Sequence, residues 1–341
     1  NHDGQIYRIG DEIYLGHPGI KVLPDIPENL AAEPTLAWIF ESDEAENRVL
    51  ETSYLTRNIT WRSDYLLTVN DDGSTGNLVA WISVNNRSGA AFRNASISLV
   101  AGDIHRVRDP GMDKSQDMVL MTRTAAPAAM DVETERLFEY YRYEIMHPTS
   151  IEHNQVRQVR FLDIQGIPLK KDYRIISGSR GINRPVSSTE GTPVPVEVSL
   201  SFHNTEKGGL GMPLPAGLVR LYQNDKRDGR QFIGEDHLRH TARNDTVRLK
   251  AGETFDIQAR RRQLEFNRIT SRITESRWEI SVKNEKDQKI IVHCLETLAG
   301  DWEIKDASHP YTVIDAFTVR FDLSVSSGEA TTLNYMIRTG S

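Results

Sequence analysis

Cysteine is nearly absent from this sequence of 341 residues, which contains one thiol, at Cys294. A single thiol excludes an intrachain disulfide and a zinc site built from several cysteines. Cys294 lies in an alternating apolar run, KIIVHCLETL, which predicts a strand position. A catalytic thiol needs a lowered pKa on an accessible loop or helix start, so we expect Cys294 to be a buried core residue.

Long apolar runs and an excess of basic residues are also lacking. No stretch approaches the roughly 18 apolar residues of a membrane-spanning helix. The chain has 41 lysines and arginines against 48 aspartates and glutamates, a net charge of -7. Binding to nucleic acid or anionic membranes usually requires a basic face. We therefore predict no transmembrane segment in this chain and no nucleic-acid partner.

Sustained helical periodicity is missing as well, and a period of two dominates instead. Turn residues at 70–73, 86–89 and 228–229 separate the alternating segments, and we interpret the first two turns as hairpin connections. This spacing predicts an all-β protein with two or three immunoglobulin-like or fibronectin-like β-sandwich domains in tandem. The alternating segments include TLAWIFES, NRVLETSYLT, DYLLTVN, NLVAWISVNN, ASISLVA, RWEISVKNEK and FTVRFDLSV.

Changes in composition divide the chain into segments. Residues 1–33 are polar and strand-like, and we interpret them as the remnant of an upstream region. Residues 34–110 are predicted to form the first β-sandwich. Residues 111–135 lack alternation and are predicted to be a linker or surface excursion. Residues 136–255 are then a middle β-domain, and residues 256–341 are a C-terminal immunoglobulin-like sandwich.

The sequence also contains a weak internal repeat. LVAWISVNNRSGAAFRNASISLVAG and RWEISVKNEKDQKIIVHCLETLAG share an order of strand, polar turn beginning at Asn, strand, and Leu-x-Ala-Gly. Two sandwich domains with a similar hairpin would produce this pattern.

Asp103 and His105 form the first candidate site. Residues two apart in a strand share a face, so this pair could bind a metal or orient a base. A third ligand or a nucleophile would still be needed. The alternative is a bend at Ala101-Gly102 in which Asp103 accepts backbone N–H bonds. We favour the bend.

An arginine run, ARRRQLEFNR, is the second candidate. Arg260 and Arg262 should face one way along a strand and Arg261 the other. Arg260 and Arg262 are candidates for contact with phosphates or acidic sugars. The alternative, which we favour, is solvated strand charges that discourage edge pairing.

Other motifs favour structural roles. The glycine-rich GLGMPLPAG lacks the Lys-Ser/Thr of a phosphate loop and predicts a rigid connection. His237 and His240 should lie on opposite strand faces and make a poor metal pair. The aromatic residues Trp61, Tyr65, Trp81, Trp278 and Trp302 are expected in the core. We predict no catalytic, cofactor-binding or metal-binding residue, and no cofactor.

Residues 51–107 resemble the core of a bacterial family, the domain of unknown function 4139 family, and the resemblance covers most of the chain from about residue 34. The motifs that carry the resemblance are Tyr-Leu-Thr at 54–56, Trp61 with Tyr65, Trp81 followed by Asn85 to Gly89, and Leu99 to Val107. GLGMPLPAGLVRLYQ and LAGDWEIKDASHP are similar to later family segments. The resemblance implies a β-rich bacterial protein of the periplasm or cell surface, similar to the C-terminal region of mucoidy inhibitor A-like proteins. It transfers no catalytic residue.

These observations favour a non-enzymatic envelope or surface protein. We expect a structural, adhesion or protein-interaction scaffold that binds protein partners or self-associates through strand edges. One alternative is a hydrolase or glycan-processing enzyme with an interdomain site that includes Asp103 and His105. Another is a carbohydrate- or metal-binding module, and glycan binding remains open.

Overall fold

The computed structural model describes residues 6–9, 12–15, 39, 41, 51–102, 132–178, 184–186, 190–225, 229–298 and 300–340. These residues contain strands and a single 3₁₀ turn at Glu206–Gly208, with no α-helix among them. The all-β prediction is therefore confirmed. Within the same ranges, no helix has the length and apolar character needed to cross a membrane.

The described residues form 21 strands. In chain order the strands are β1 Ile6–Ile9, β2 Glu12–Leu15, β3 Ile59–Val69, β4 Thr75–Asn86, β5 Phe92–Ala95, β6 Ser98–Ala101, β7 Val132–Leu137, β8 Tyr140–Ile145, β9 Thr149–Ile151, β10 Gln155–Pro168, β11 Lys170–Ser177, β12 Thr192–His203, β13 Gly217–Asn224, β14 Arg230–Leu238, β15 Thr246–Arg268, β16 Ile273–Asn284, β17 Ile290–Thr297, β18 Asp301–Ala307, β19 Tyr311–Asp315, β20 Thr318–Val325 and β21 Ala330–Gly340.

Two large sheets organise these strands. A five-stranded sheet has the order β10-β4-β3-β13-β14, and a nine-stranded sheet has the order β18-β21-β16-β15-β12-β11-β17-β20-β19. Smaller sheets pair β1 with β2, β5 with β9, and β6 and β7 with β8. The five-stranded sheet joins strands from both sides of the predicted linker at 111–135. The domain boundaries themselves stay a prediction.

Two hydrophobic clusters form the core, and two long strands contribute to both. Leu200 of β12 and Leu249 of β15 lie in the first cluster, which also covers the five-stranded sheet. Val196 of β12 and Ile257 of β15 lie in the second cluster. β15 runs unbroken over Thr246–Arg268, and irregularities in its pairing with β12 accommodate this length.

The turn at 70–73 is a hairpin, as predicted. The Asn70 N–H donates to the Thr75 carbonyl at 2.9 Å, and Gly73 adopts a positive φ of 73°. β13 and β14 also form a hairpin, closed by a bond from the Asp225 N–H to the Gly229 carbonyl. Asp228 of the predicted turn lies outside the described residues. Such turns are predictable because their residues determine the backbone conformation locally.

The hairpin predicted at 86–89 is wrong. β4 ends at Asn86, but the next strand, β5, pairs with β9, and β6 pairs with β8. The turn therefore carries the chain out of the five-stranded sheet into other small sheets. The predicted strand at 47–56 is also not found over its described part. Residues 51–56 form no strand, and Leu55 is 98% exposed.

Asn86 and Asn284 occupy the same position in the internal repeat, and both are buried. The Asn86 Nδ2 donates to the carbonyls of Ala90, Ile151 and Glu152, at 2.8, 3.3 and 3.2 Å. Its Oδ1 accepts the Ser88 N–H at 3.1 Å. These bonds hold the turn against a distant strand end.

Asn284 makes the same arrangement in the second copy. Its Nδ2 donates to the carbonyls of Gln288, Val325 and Ser326, and its Oδ1 accepts the Lys286 N–H. β16 and β17, which flank this turn, do not pair with each other. The repeat is therefore a turn between non-pairing strands, with a buried asparagine at its centre, rather than a hairpin.

Candidate functional site

The first sequence candidates, Asp103 and His105, lie outside the described residues. Gly102, just before them, follows β6 with φ of 143°, a conformation that L residues with a side chain rarely adopt. A Cβ there would stand 2.3 Å from Cδ1 of Tyr140. The chain therefore requires glycine at this point, in agreement with the predicted bend.

The second candidates, Arg260 and Arg262, lie on β15. The Arg260 Nη1 donates to the Glu190 carbonyl at 3.5 Å, and the Arg262 Nη2 donates to the Glu279 carboxylate at 2.8 Å. The Arg260 side chain is exposed, and Arg262 is partly so. Both arginines thus have partners within the protein, and β15 is paired on both sides, by β12 and β16, so these charges do not protect a sheet edge as predicted.

Arg261, between them, points into the protein and makes the most distinctive contacts of the second cluster. Its Nε and Nη2 donate to the two carboxylate oxygens of Glu296 on β17, at 3.2 and 2.9 Å. Nη2 also donates to the hydroxyl of Tyr335 on β21, at 3.2 Å. The guanidinium lies 3.5 Å above the ring centre of Trp278 on β16. Three other strands therefore hold this one side chain.

Burial removes both charges of this ion pair from water, so each charge depends on the other for stabilisation. The Arg261 side chain is 10% exposed and that of Glu296 is 0% exposed. Burial alone would lower the pKa of Arg261, but the charge of Glu296 and the hydrogen bonds outweigh it and raise that pKa. Burial, followed by the nearby Glu296 charge, also raises the pKa of Tyr335 well above its usual range. The arginine is therefore charged and the tyrosine protonated at neutral pH.

The strands around the ion pair separate to form a cleft. β11 and β12 pair from Lys170 opposite Ser201 to Arg174 opposite Glu197, and then diverge. Beyond that point β11 pairs only with β17, which places Ser177 opposite Glu296. β12 pairs there only with β15, which places Thr192 opposite Arg261. The two halves of the nine-stranded sheet part at this end, with the ion pair between them.

A cavity of about 540 Å³ occupies this cleft. Trp278 and Ser177 are the buried residues of its lining, and the others are exposed or partly buried: Ile176, Gly178, Arg184, Val186, Thr192, Pro193, Val194 and Arg261. The volume lies within the range typical of small-molecule sites, roughly 300–1,000 Å³. The lining is mainly apolar, with a cation and a hydroxyl in the buried part.

Two polar groups of the lining lack partners. The Ser177 residue is 4% exposed, and its Oγ is buried with no hydrogen-bond partner among the described residues. Across the same ranges, the Arg261 Nη1 makes no hydrogen bond, while Nε and Nη2 are both engaged. Buried polar groups are usually satisfied, so the Ser177 Oγ is available to a ligand in the cavity, and the Arg261 Nη1 is a second donor that these bonds leave unused.

The loop segment at the rim is fixed to β15 by Gln263. The Val186 N–H donates to the Gln263 Oε1 at 2.6 Å, and the Gln263 Nε2 donates to the Arg184 carbonyl at 3.2 Å. Both bonds are to backbone atoms and therefore set the position of residues 184–186 beside the cavity. Arg260, bonded to the Glu190 carbonyl, anchors the chain just before β12 in the same way.

A second feature lies at the edge of the nine-stranded sheet. Among the described residues β19 pairs only with β20, and one side of its backbone has no partner strand in those ranges. Its apolar side chains are unusually exposed: Tyr311 is 43% exposed, Val313 54% and Ile314 47%. Phe317, just after the strand, is 57% exposed. Tyr311 and Val313 pair with the fully buried Phe321 and Val319, so this strand extends an apolar core face into solvent.

The glycine-rich connection is held rigidly, as the sequence suggested. The Tyr65 hydroxyl donates to the Pro215 carbonyl at 2.6 Å, and the Asn204 Nδ2 donates to the Met212 carbonyl at 2.7 Å. Burial raises the pKa of Tyr65, which keeps this hydroxyl a donor. His240, after β14, accepts the Ala216 N–H through Nδ1. In the part of the chain that the structure describes, no group of His, Cys, Asp or Glu side chains is placed to hold a metal ion.

Glu296 could have been found from the sequence. It follows Val292 and Cys294 at a spacing of two, so alternation places a carboxylate on the buried face of the strand. A buried carboxylate needs a cation, and Arg261 is the inward-facing arginine of its run. The pairing itself could not be derived, because it joins residues 35 positions apart on strands that do not neighbour each other.

Comparison with known proteins adds no identification. No protein-family model matches the chain, and no curated protein matches it.

Proposed function

We propose that the chain is a non-enzymatic β-sandwich scaffold that self-associates through β19. The observation that carries the proposal is the exposed apolar edge strand Tyr311–Asp315. The proposal includes tandem immunoglobulin-like or fibronectin-like domains as the architecture. It also keeps the location at the bacterial periplasm or surface that the family resemblance implies.

The backbone of β19 favours strand addition. An edge strand offers unpaired N–H and C=O groups to another chain, and proteins usually block such edges with lysine, proline or bulges. Tyr311–Asp315 contains no lysine and no proline, although a bulge interrupts its pairing with β20 after Val313. The edge therefore carries only weak protection against pairing.

A second copy of the chain is the occupant that fits this edge. In an antiparallel pair centred on Val313, Tyr311 of one copy faces Asp315 of the other, and Thr312 faces Ile314. Asp315 is the only charge in the strand, so this register brings no like charges opposite each other. An isologous pair of this kind closes as a twofold dimer.

Light scattering after size-exclusion chromatography tests this assembly over a range of protein concentrations. Five paired residues bury less area than a standard interface, so we expect a dimer whose fraction rises through the micromolar range. Ile314→Lys should abolish it, because the substitution places a charge at the edge. Ile291→Lys is the matched control, since Ile291 is 54% exposed on β17, which is paired on both sides.

A monomer at every concentration would contradict the assembly, as would a dimer that Ile314→Lys leaves unchanged. If both lysine variants lose the dimer, the added charge itself, and not its position on the β19 edge, is the cause. The cellular location is tested separately by fractionating cells that express the native gene, where recovery in the cytosol would contradict the envelope assignment.

A binding module is the second candidate function. The cleft at Arg261 is the observation that favours it, because the buried Ser177 Oγ lacks a partner among the described residues and the Arg261 Nη1 takes no part in the bonds to Glu296 and Tyr335. The hydrolase alternative rested on Asp103 and His105, which lie outside the described residues, and no described contact supports it.

A further inference from the structure

We propose that the cavity between β11 and β12 binds a small carboxylic acid with a flat apolar body. This site is separate from the β19 edge and does not depend on self-association. Its central element is Arg261, whose guanidinium is fixed before any ligand arrives. Glu296, Tyr335 and the ring of Trp278 together restrain it.

The fixed guanidinium belongs to a residue that lines the cavity, and one of its nitrogens is outside these bonds. Nε and Nη2 are occupied by Glu296 and Tyr335, so Nη1 is the atom that can donate to a ligand oxygen. Hydrogen bonds between an ionised donor and a carboxylate are about twice as strong as neutral ones. Because the side chain is already ordered, binding costs little additional conformational entropy.

Charge balance favours a monoanion. Among the described residues that line the cavity, Arg261 and Arg184 are the charged ones. Glu296 neutralises Arg261. Arg184, exposed at the rim, leaves one positive charge near the mouth. The net positive charge of this described lining would attract a carboxylate, whereas a cationic ligand would be repelled.

The remaining lining residues determine which kind of ligand body fits the cavity. Val194, Val186, Pro193 and Ile176 supply apolar surface around the mouth. The Ser177 Oγ, buried and without a partner in the described ranges, can donate to the second carboxylate oxygen. A ligand with an apolar body and one carboxylate end would therefore contact the apolar walls and bond to the Ser177 Oγ and the Arg261 Nη1.

Isothermal titration with 2-naphthoate tests the site directly. We expect saturable binding with an affinity in the millimolar range or tighter, as is usual for a fragment of this size. The neutral 2-naphthamide should bind at least tenfold more weakly, since the charge-assisted bonds are lost. The cation 2-naphthylmethylamine should not bind measurably.

Variants then assign the binding to this cavity. Arg261→Lys keeps a cation beside Glu296 but removes the fork and Nη1, so we expect at least a tenfold loss of affinity. Ser177→Ala removes one hydrogen bond without leaving a buried charge, and we expect about a fivefold loss. Arg262→Lys is the matched control on the opposite face of β15 and should leave affinity unchanged. Circular dichroism confirms that each variant is folded.

The proposal is overturned if 2-naphthoate shows no saturable binding, or if it binds no better than the amide. It is also overturned if Ser177→Ala and Arg262→Lys have equal effects, a test that holds even where Arg261→Lys fails to fold. A free carboxylate metabolite and a peptide C-terminus share this chemistry. A dipeptide ending in Phe, compared as free acid and as amide, distinguishes them, because only a peptide-binding site would prefer the dipeptide acid to 2-naphthoate.

Discussion

Glu296 shows how a single residue constrains the second cluster. Its side chain is fully buried on β17, and its carboxylate is compensated by Arg261 on the opposite half of the sheet. Removing one member of a buried ion pair leaves an uncompensated charge, whereas replacing both with apolar residues is often tolerated. The pair therefore links the two halves of the sheet at the point where β11 and β12 separate.

We expect Glu296→Ala to lower the free energy of unfolding by about 3–5 kcal/mol, because it leaves the Arg261 guanidinium buried and unpaired. The double variant Arg261→Met with Glu296→Leu should recover most of that loss. Urea denaturation of both single variants, the double variant and the wild type measures the coupling. A loss of under about 1 kcal/mol in Glu296→Ala would show that the charge is solvated rather than buried.

Cys294 gives a second prediction at this scale, on pH. Burial raises the pKa of its thiol above the ordinary value of 9.0, with further contributions from Glu296 and Asp322. The thiol stays protonated in the folded protein but ionises in the unfolded chain above about pH 9. Its contribution to stability is therefore complete below that pH and is lost progressively as the pH rises toward the folded pKa.

Urea denaturation under reducing conditions should show this loss as a negative slope. In Cys294→Ala, the fall of unfolding free energy with pH above 9 should be shallower by up to about 1.4 kcal/mol per pH unit. The variant also loses some stability at every pH because it leaves a small cavity. Identical slopes in the two proteins would mean that the thiol is accessible in the folded state.

Individual residues were predictable where the signal was local. Alternation along KIIVHCLETL predicted a buried Cys294, which is 0% exposed, and alternation along ARRRQ separated Arg261 from Arg260 and Arg262. The Arg261 partners were not predictable, because Glu296, Tyr335 and Trp278 come from three other strands. Their convergence depends on non-local sheet order, which periodicity does not encode.

At the scale of elements, the turns at Asn86 and Asn284 are the clearest repeated structural feature. Asn86 is 1% exposed and Asn284 is 0% exposed, and each amide donates to three carbonyls. Two of those carbonyls in each copy belong to a distant strand end, so the turn and that strand are fixed together. The turn chemistry resembles that of a hairpin, which explains why the sequence favoured one.

We expect Asn86→Ala and Asn284→Ala each to lower the free energy of unfolding by about 2–4 kcal/mol, since buried carbonyls are left without donors. Asn85→Ala and Lys283→Ala, one position earlier in each copy, are the matched controls and should cost under about 1 kcal/mol. Thermal and urea unfolding of the four variants measure the difference. Equal effects of Asn86→Ala and Asn85→Ala would rule out the amide as the stabilising group.

The strands themselves were largely predictable, and their partners were not. β4 and β16 show clear alternation of buried and less buried residues, so their existence followed from the sequence. The parallel pairing of β3 with β13 joins Tyr65 to Val219, which are 154 positions apart in the sequence. Such pairing is selected by packing in the complete fold rather than by any turn signal.

For the whole molecule, the important feature is that β12 and β15 serve both hydrophobic clusters. Phe202 and Val247 lie in the first cluster, and Val196 and Ala259 lie in the second. The pairing of the two strands is interrupted between Val198 and Ser199, where the clusters meet. Neither cluster can lose these strands without exposing apolar surface of the other, so we expect the two to unfold together.

Hydrogen exchange followed by mass spectrometry tests this coupling. Ile280→Ala removes a fully buried side chain from the second cluster and should cost about 2–5 kcal/mol. We expect faster exchange in peptides from β20 and also in peptides from β4, which belongs to the first cluster. Ile291→Ala, at an exposed position, should change neither. Faster exchange confined to the second cluster would contradict coupled unfolding.

The shared strands also determine how the molecule would respond to tension. Force applied across the two clusters runs along β12 and β15, parallel to the strands and perpendicular to the hydrogen bonds that join them. Those bonds would be loaded in shear and would have to break together, instead of opening one after another from an end. A chain built in this way transmits a pull from one cluster to the other without an intervening hinge.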